Sequence, residues 1–174
     1  MTSKNKLNCL SSKDISLREK ILEWYDKNGR HSLPWKNQSI YLIWISEIML
    51  QQTQVNTALV YYEKFIKKWP NLNSLAQANI EDVLTMWSGL GYYSRAKNLL
   101  KAAKTISEKH NGIIPDKYED LICLPGIGEY TASAIVSFAF GKFSVVIDTN
   151  IKRFLTRVNG LNKNDVVNKL KFTE

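Results

Sequence analysis

Apolar residues recur every three or four positions along almost the whole chain, and that spacing commits it to helices. The stretch "YYSRAKNLLKAAKTISEKHNG", residues 92–112, carries the pattern most clearly. Ala96, Leu99, Leu100, Ala103 and Ile106 fall on one face, and Arg95, Lys97, Lys101 and Lys104 make the remaining surface basic. "ISLREKILEWYDKNG" gathers Ile15, Leu17, Ile21, Leu22 and Trp24 on another broad face, with Asn28 and Gly29 as its stop. "IYLIWISEIMLQQT", residues 40–53, is too long and regular for a lone strand and too apolar for a surface. It reads as a buried helix capped by Ser39.

Short joints separate these segments. Pro34 interrupts the chain, and a helix over residues 55–69 closes at Pro70. Asn79 caps "IEDVLTMW", with Asp82 three residues on approximating a capping box. A short helix is expected over residues 118–123, a longer one over 129–140, and a last one from about Asn150. "FSVVI", residues 143–147, has strand character but no obvious partner. The expected fold is therefore all-α with short connections. A further helical pattern begins at Lys163 and has no room to finish, which suggests part of a larger protein.

A chain of 174 residues, 44% of them hydrophobic, can bury a real core in one domain or two small intimate ones. Its 24 Lys and Arg against 16 Asp and Glu give a net charge of +8, which suits a polyanionic partner. Five Trp and eight Tyr serve either a core or stacking surfaces for bases. With only Cys9 and Cys123, neither a disulfide framework nor a four-cysteine metal cluster is available. The polar start, "MTSKNKLNCLSSKD", is no secretory signal, and no stretch approaches bilayer length, so a soluble, reducing intracellular setting is expected.

Four features carry chemistry. In "LPGIGEYTASA", residues 124–134, Pro125 fixes one torsion, and Gly126 and Gly128 are free to take positive φ directly before a helix. Such a turn aims consecutive N–H groups at an anion such as a DNA phosphate; the plain alternative is a tight helix–helix joint. In "WSGLGYYSRAKNL", Tyr92 sits where it could wedge between base pairs or simply pack against a neighbour. Glu47 lies in the most apolar helix beside Ile43, Trp44 and Leu50. Burial there would raise its pKa and suit it to general acid catalysis, unless it reaches solvent or a basic partner. Asp148 precedes a helix, where it serves as an ordinary cap or as a carboxylate facing a developing positive charge. A protonated and an ionised carboxyl together would be the division of labour that breaks glycosidic bonds.

"LPW" at 33–35, "SEIMLQQTQV" at 46–55, "GLGYYSRAKNL" at 89–99, "LPGIGEYTASA" and "IDTNIKR" at 147–153 together resemble the adenine DNA glycosylases of the helix–hairpin–helix, endonuclease III superfamily. The resemblance implies an orthogonal helical bundle and removal of adenine mispaired with 8-oxoguanine or guanine. Carried over by position, Glu47 is the acid that protonates the purine at N7 and helps activate water. Asp148 stabilises the oxocarbenium-like sugar, and Tyr130 occupies a catalytic-pocket position. Gln52 and Thr53 probe the mispair, Tyr92 intercalates, and Leu124, Gly126, Ile127 and Gly128 form the hairpin that grips phosphate; Arg95 joins the DNA-binding set. Relatives that cut the strand carry Lys where this chain has Tyr130, so a monofunctional hydrolase is expected.

Thr149 departs from the Gly usual after the aspartate of adenine glycosylases and resembles endonuclease III and thymine mismatch glycosylases. A thymine or uracil mismatch glycosylase and a truncated, non-catalytic DNA-binding module therefore stand as alternatives. The resemblance further implies a [4Fe–4S] cluster in the full-length protein, with its cysteine ligands absent from this chain, and a monovalent cation at the hairpin. The expected division is residues 1–38 as an N-terminal helix and linker packing against the C-terminal part, 39–145 as the helical domain with its hairpin motif near 118–140, and 146–174 as the start of a second subdomain. The expected partner is double-stranded DNA bearing an A·8-oxoG or A·G mispair, met by a monomer without a membrane. The expected setting is bacterial cytoplasm and nucleoid, or a eukaryotic nucleus.

Overall fold

The computed structural model describes residues 12–159, which fall into two compact units divided between Lys36 and Asn37. The first contains α1 (Ser12–Asn28). Its end is tied by the Gly29 N–H donating to the Tyr25 carbonyl at 2.7 Å and the Asn28 amide donating to the Trp24 carbonyl at 3.0 Å. The His31 ring meets Tyr25 edge-on, centroids 4.9 Å apart. The apolar stripe of α1 stays exposed at Ile15, Ile21, Leu22 and Trp24.

The second unit runs α2 (Ile40–Leu50), α3 (Val55–Lys68), α4 (Leu72–Ala76), α5 (Ile80–Trp87), α6 (Ser94–Lys109), α7 (Tyr118–Ile122), α8 (Glu129–Ala134), a π-helical turn (Ile135–Ala139) and α9 (Thr149–Asn159). No strand occurs among the described residues. Helix α2 is the centrepiece, packing against α3, α6, α8 and the π turn, while α6 packs on α4 and α5. The pattern already foretells this, because α2 is apolar nearly all round and such a helix needs neighbours on every side. Trp44, Ile45, Met49, Tyr62, Phe65, Val83, Trp87, Leu99, Ile106 and Ile135 are fully buried. Phe65 and Trp87 meet edge-to-face at 6.0 Å, the arrangement the ring quadrupoles favour.

Several local expectations change. Helix α2 stops at Leu50, and residues 51–53 form a turn in which Gln52 takes φ 56°. Asn79 caps α5 through the Glu81 N–H, but Asp82 instead pairs with Lys68 at 3.0 Å. The reciprocal capping box lies at Asn71 and Ser74, at the head of the unforeseen α4. The expected helix over 129–140 widens at its end, where the Phe140 N–H reaches back to Ile135. "FSVVI" is not a strand, since no extended neighbour among the described residues offers it a ladder. The helical pattern from Lys163 lies outside the described residues.

Candidate active site and nucleic-acid interface

Helix α2 sets the position of Glu47. Its neighbours Ile43, Trp44, Ser46 and Ile48 are buried, and Glu47 itself is half-buried. No Lys, Arg or His among the described residues pairs with its carboxyl, so burial acts unopposed and pushes its pKa up to about 7. A carboxyl so placed is part-protonated near neutral pH and can give or take a proton there.

Asp148 ends the non-helical segment before α9 and caps that helix. One carboxylate oxygen accepts the Ile151 N–H at 2.7 Å and the other accepts the Asn150 amide at 3.1 Å. Tyr130 sits in the first turn of α8, 40% exposed, so its phenol is reachable from outside. Burial, then the charge of Glu47, then that of Asp148, push its pKa up to about 12. The phenol therefore senses both carboxyl groups at once. Residues far apart in the chain thus come within electrostatic reach of one another, with Tyr130 acted on by two acids.

The hairpin between α7 and α8 is only partly as expected. Gly126 takes φ 77°, and a Cβ there would meet the Asn98 Cβ at 2.7 Å, so glycine is required twice over. Gly128, in contrast, has φ −94° with open space around it. Its expected left-handed conformation is absent because it is the extended cap residue of α8. The side chains of Leu124 and Ile127 are buried, and their N–H groups donate to the Leu121 and Leu124 carbonyls. The unspent donors are those of the first turn of α8, which an intrahelical ladder never satisfies.

Gln52 and Tyr92 are both exposed, both hold left-handed backbone (φ 56° and 51°), and both line one cavity of about 200 Å³ together with Gly126. Thr53 is half-buried, its hydroxyl turned towards the Gln51 carbonyl at 3.4 Å. Arg95, expected on the basic DNA-facing surface, is corrected by its surroundings. It is buried, and its guanidinium donates to five main-chain carbonyls, those of Ile48, Met49, Gln51, Leu90 and Gly91. Helical spacing placed it one step beyond the apolar stripe, and an aliphatic stem carries the charge inward to meet the end of α2. A residue missed from sequence is Gln51, whose amide donates to the Gly126 carbonyl at 3.3 Å and the Thr131 hydroxyl at 3.1 Å. Only its place at the end of an apolar helix hinted at it.

The iron–sulfur cluster is also corrected. Among the described residues no three of His, Cys, Asp or Glu stand together to hold a metal. The sequence has only two cysteines, and the described one, Cys123, is exposed with its thiol donating to the Glu119 carbonyl. These donors do not fit such a cluster, and no chemical step runs through one. A cavity of about 760 Å³ lies around the start of α2 and includes none of Glu47, Tyr130 or Asp148. No described helix is long and apolar enough to cross a membrane.

Residues 45–173 match the family model of the HhH-GPD superfamily base excision DNA repair proteins. The chain is 51% identical over 142 residues to the adenine DNA glycosylase of Buchnera aphidicola subsp. Acyrthosiphon pisum, covering 81% of this chain and 41% of that protein. It is 44% identical over 156 residues to the adenine DNA glycosylase of Mus musculus, covering 84% and 30%. It thus spans less than half the length of these curated relatives. Among solved structures, a thermostable thymine-DNA glycosylase superposes with TM-score 0.75 at 26% identity, over 84% of this chain and 70% of that one. A non-covalent endonuclease III–DNA complex shares the fold with TM-score 0.77 at 21% identity, over 94% and 76%.

Proposed function

The chain belongs to the HhH-GPD superfamily of base excision DNA repair proteins, and from that premise we propose that it hydrolyses the N-glycosidic bond of adenine mispaired with 8-oxoguanine or guanine in double-stranded DNA. What supports this reading is that Glu47, its pKa pushed up to about 7 by burial, and the helix-capping Asp148 both act electrostatically on the Tyr130 phenol. The curated relatives from Buchnera aphidicola, Mus musculus and Homo sapiens, each named an adenine DNA glycosylase, support the choice of base.

The mechanism follows from what each group can do. A base turned out of the duplex leaves poorly as an anion. Glu47 delivers its proton to adenine N7 while the C1′–N9 bond breaks, so the base departs neutral and its bonding electron pair goes with it. The sugar is left with positive charge, which the Asp148 carboxylate offsets from its fixed position on α9. Water then adds at C1′ and loses a proton to the Glu47 carboxylate, which restores the acid. Tyr130 stays protonated throughout and offers a hydrogen bond without a nucleophilic amine. The reaction is therefore hydrolysis alone, and borohydride is expected to trap no protein–DNA adduct. Tyr92 and Gln52 would enter the duplex beside the mispair, and the first turn of α8 with its hairpin would hold a backbone phosphate. A monovalent cation at the hairpin would use the remaining lone pairs of the Leu124, Gly126 and Gly128 carbonyls, each already accepting one hydrogen bond.

Thr149 and the likeness to a thymine-DNA glycosylase favour a second reading, removal of thymine from a G·T mispair. One assay separates the two. The chain is incubated with A·8-oxoG, A·G and G·T duplexes and the released base identified. Adenine release, abolished in Glu47→Gln, upholds the first reading; thymine release from G·T with intact A·8-oxoG selects the second. Release of neither base by a folded chain that binds duplex DNA leaves the binding module.

A further inference from the structure

Arg95 takes no part in the bond-breaking steps above, yet its side chain donates five hydrogen bonds to main-chain carbonyls. One guanidinium nitrogen donates to the carbonyls of Ile48 (3.2 Å), Met49 (2.7 Å) and Gln51 (2.6 Å). The other donates to Leu90 (3.4 Å) and Gly91 (3.0 Å). Its cationic plane lies 5.4 Å from the centre of the Trp87 ring and 5.5 Å from that of Tyr92.

Two of these acceptors stand immediately before the two strained residues. The Gln51 carbonyl belongs to the peptide plane leading into Gln52, and the Gly91 carbonyl to the plane leading into Tyr92. Both following residues hold left-handed backbone that a side chain disfavours by about 1 kcal/mol or more. Such conformations persist only where their surroundings fix them. Here a single planar fork, bridging the end of α2 and the loop before α6, orients both peptide planes at once. The Gln51 side chain then links the same turn to the hairpin through Gly126 and Thr131.

We propose that Arg95 is a positioning residue that fixes the separation and aim of Gln52 and Tyr92, and so decides where the aromatic ring enters the base stack. The inference rests on the glycosylase reading in which Tyr92 inserts into DNA. Lysine cannot replace the fork, because an ammonium is a point donor with no plane to register two carbonyl sets.

The test uses the 174-residue chain and a mispaired duplex carrying 2-aminopurine beside the adenine, whose fluorescence rises when the step unstacks. Wild type is expected to raise it. Arg95→Lys is expected to keep its far-ultraviolet dichroism and its duplex affinity within about threefold, since the phosphate contacts survive. Its fluorescence rise should shrink at least about fivefold, and Arg95→Lys with Tyr92→Ala should match Tyr92→Ala alone, the non-additivity of residues acting as one unit. A full rise in Arg95→Lys, or additive losses in the pair, overturns the proposal. Should Arg95→Lys not fold, Arg95→Gln serves instead, its shorter amide unable to span both sets of carbonyls. Loss of the rise supports the proposal, and an unchanged rise overturns it. Adenine release is followed in parallel. A wild-type rise without release contradicts the glycosylase reading alone, whereas release without a wild-type rise overturns the inference alone.

Discussion

Glu47 and Asp148 both act electrostatically on Tyr130, yet the chain sets them in different surroundings. Glu47 sits mid-way along the most buried helix with no cation beside it, so its surroundings favour the neutral form. Asp148 sits at the head of α9, where an N–H, an amide and the helix dipole all point at a negative charge. Two carboxyl groups acquire different capacities from backbone position alone. The proposed acid and the proposed electrostatic stabiliser would arise without any difference in their chemistry as free side chains.

Breaking the first half of that contrast should have the largest effect. Glu47→Gln keeps shape and burial but removes the proton donor, so single-turnover base release should fall by about 10³-fold. Duplex affinity should hold, and turnover within tenfold of wild type would remove the acid role. Breaking the other half costs less: Asp148→Asn should slow release by about 10²-fold while retaining a cap. Matching rates for Asp148→Asn and wild type would reduce Asp148 to a cap.

The contrast is sharpened by stability. The raised pKa of Glu47 means the folded chain holds a proton that the unfolded chain has lost between pH 4.5 and about 7. That stabilisation is complete below pH 4.5 and disappears as pH rises through about 7. Glutamine cannot ionise. Glu47→Gln should therefore melt above wild type at pH 8, by about 1–3 kcal/mol, with the gap closing at pH 4.5; equal denaturation midpoints at pH 8 would contradict the buried carboxyl. The same titration should lower base release roughly tenfold per pH unit above about 7, read as a pH–rate profile that Glu47→Gln flattens. The smallest effect belongs to the cap. Asp148→Ala should lose about 1 kcal/mol in urea denaturation and Asp148→Asn only a few tenths, a difference that separates capping from charge.

Much of the fold was legible because burial and helical period coincide. The stripe of α6 was read as Ala96, Leu99, Leu100, Ala103 and Ile106, and all five are buried. The same reasoning found a stripe on α1, where Ile21, Leu22 and Trp24 are exposed, because periodicity names an apolar face without naming its cover. The five-residue α4 escaped, being too short to display a period, and the π turn escaped because one extra residue per turn changes no residue type. In the site, Glu47 could be singled out by its apolar neighbours and Gly126 by its turn. Arg95 was misread because a charge beside a helical stripe looks the same whether it meets water or a row of carbonyls.

The sequence by itself determined helices, their stops, a basic surplus and an acid embedded in an apolar helix, since each depends on neighbours a few positions away. The tertiary structure decided which distant groups share a surrounding: that Tyr130 feels both carboxyl groups, that Gly126 presses on Asn98, and that Arg95 spends its charge inside. Electrostatics and packing act through space over a few ångströms, and only the folded chain sets those distances.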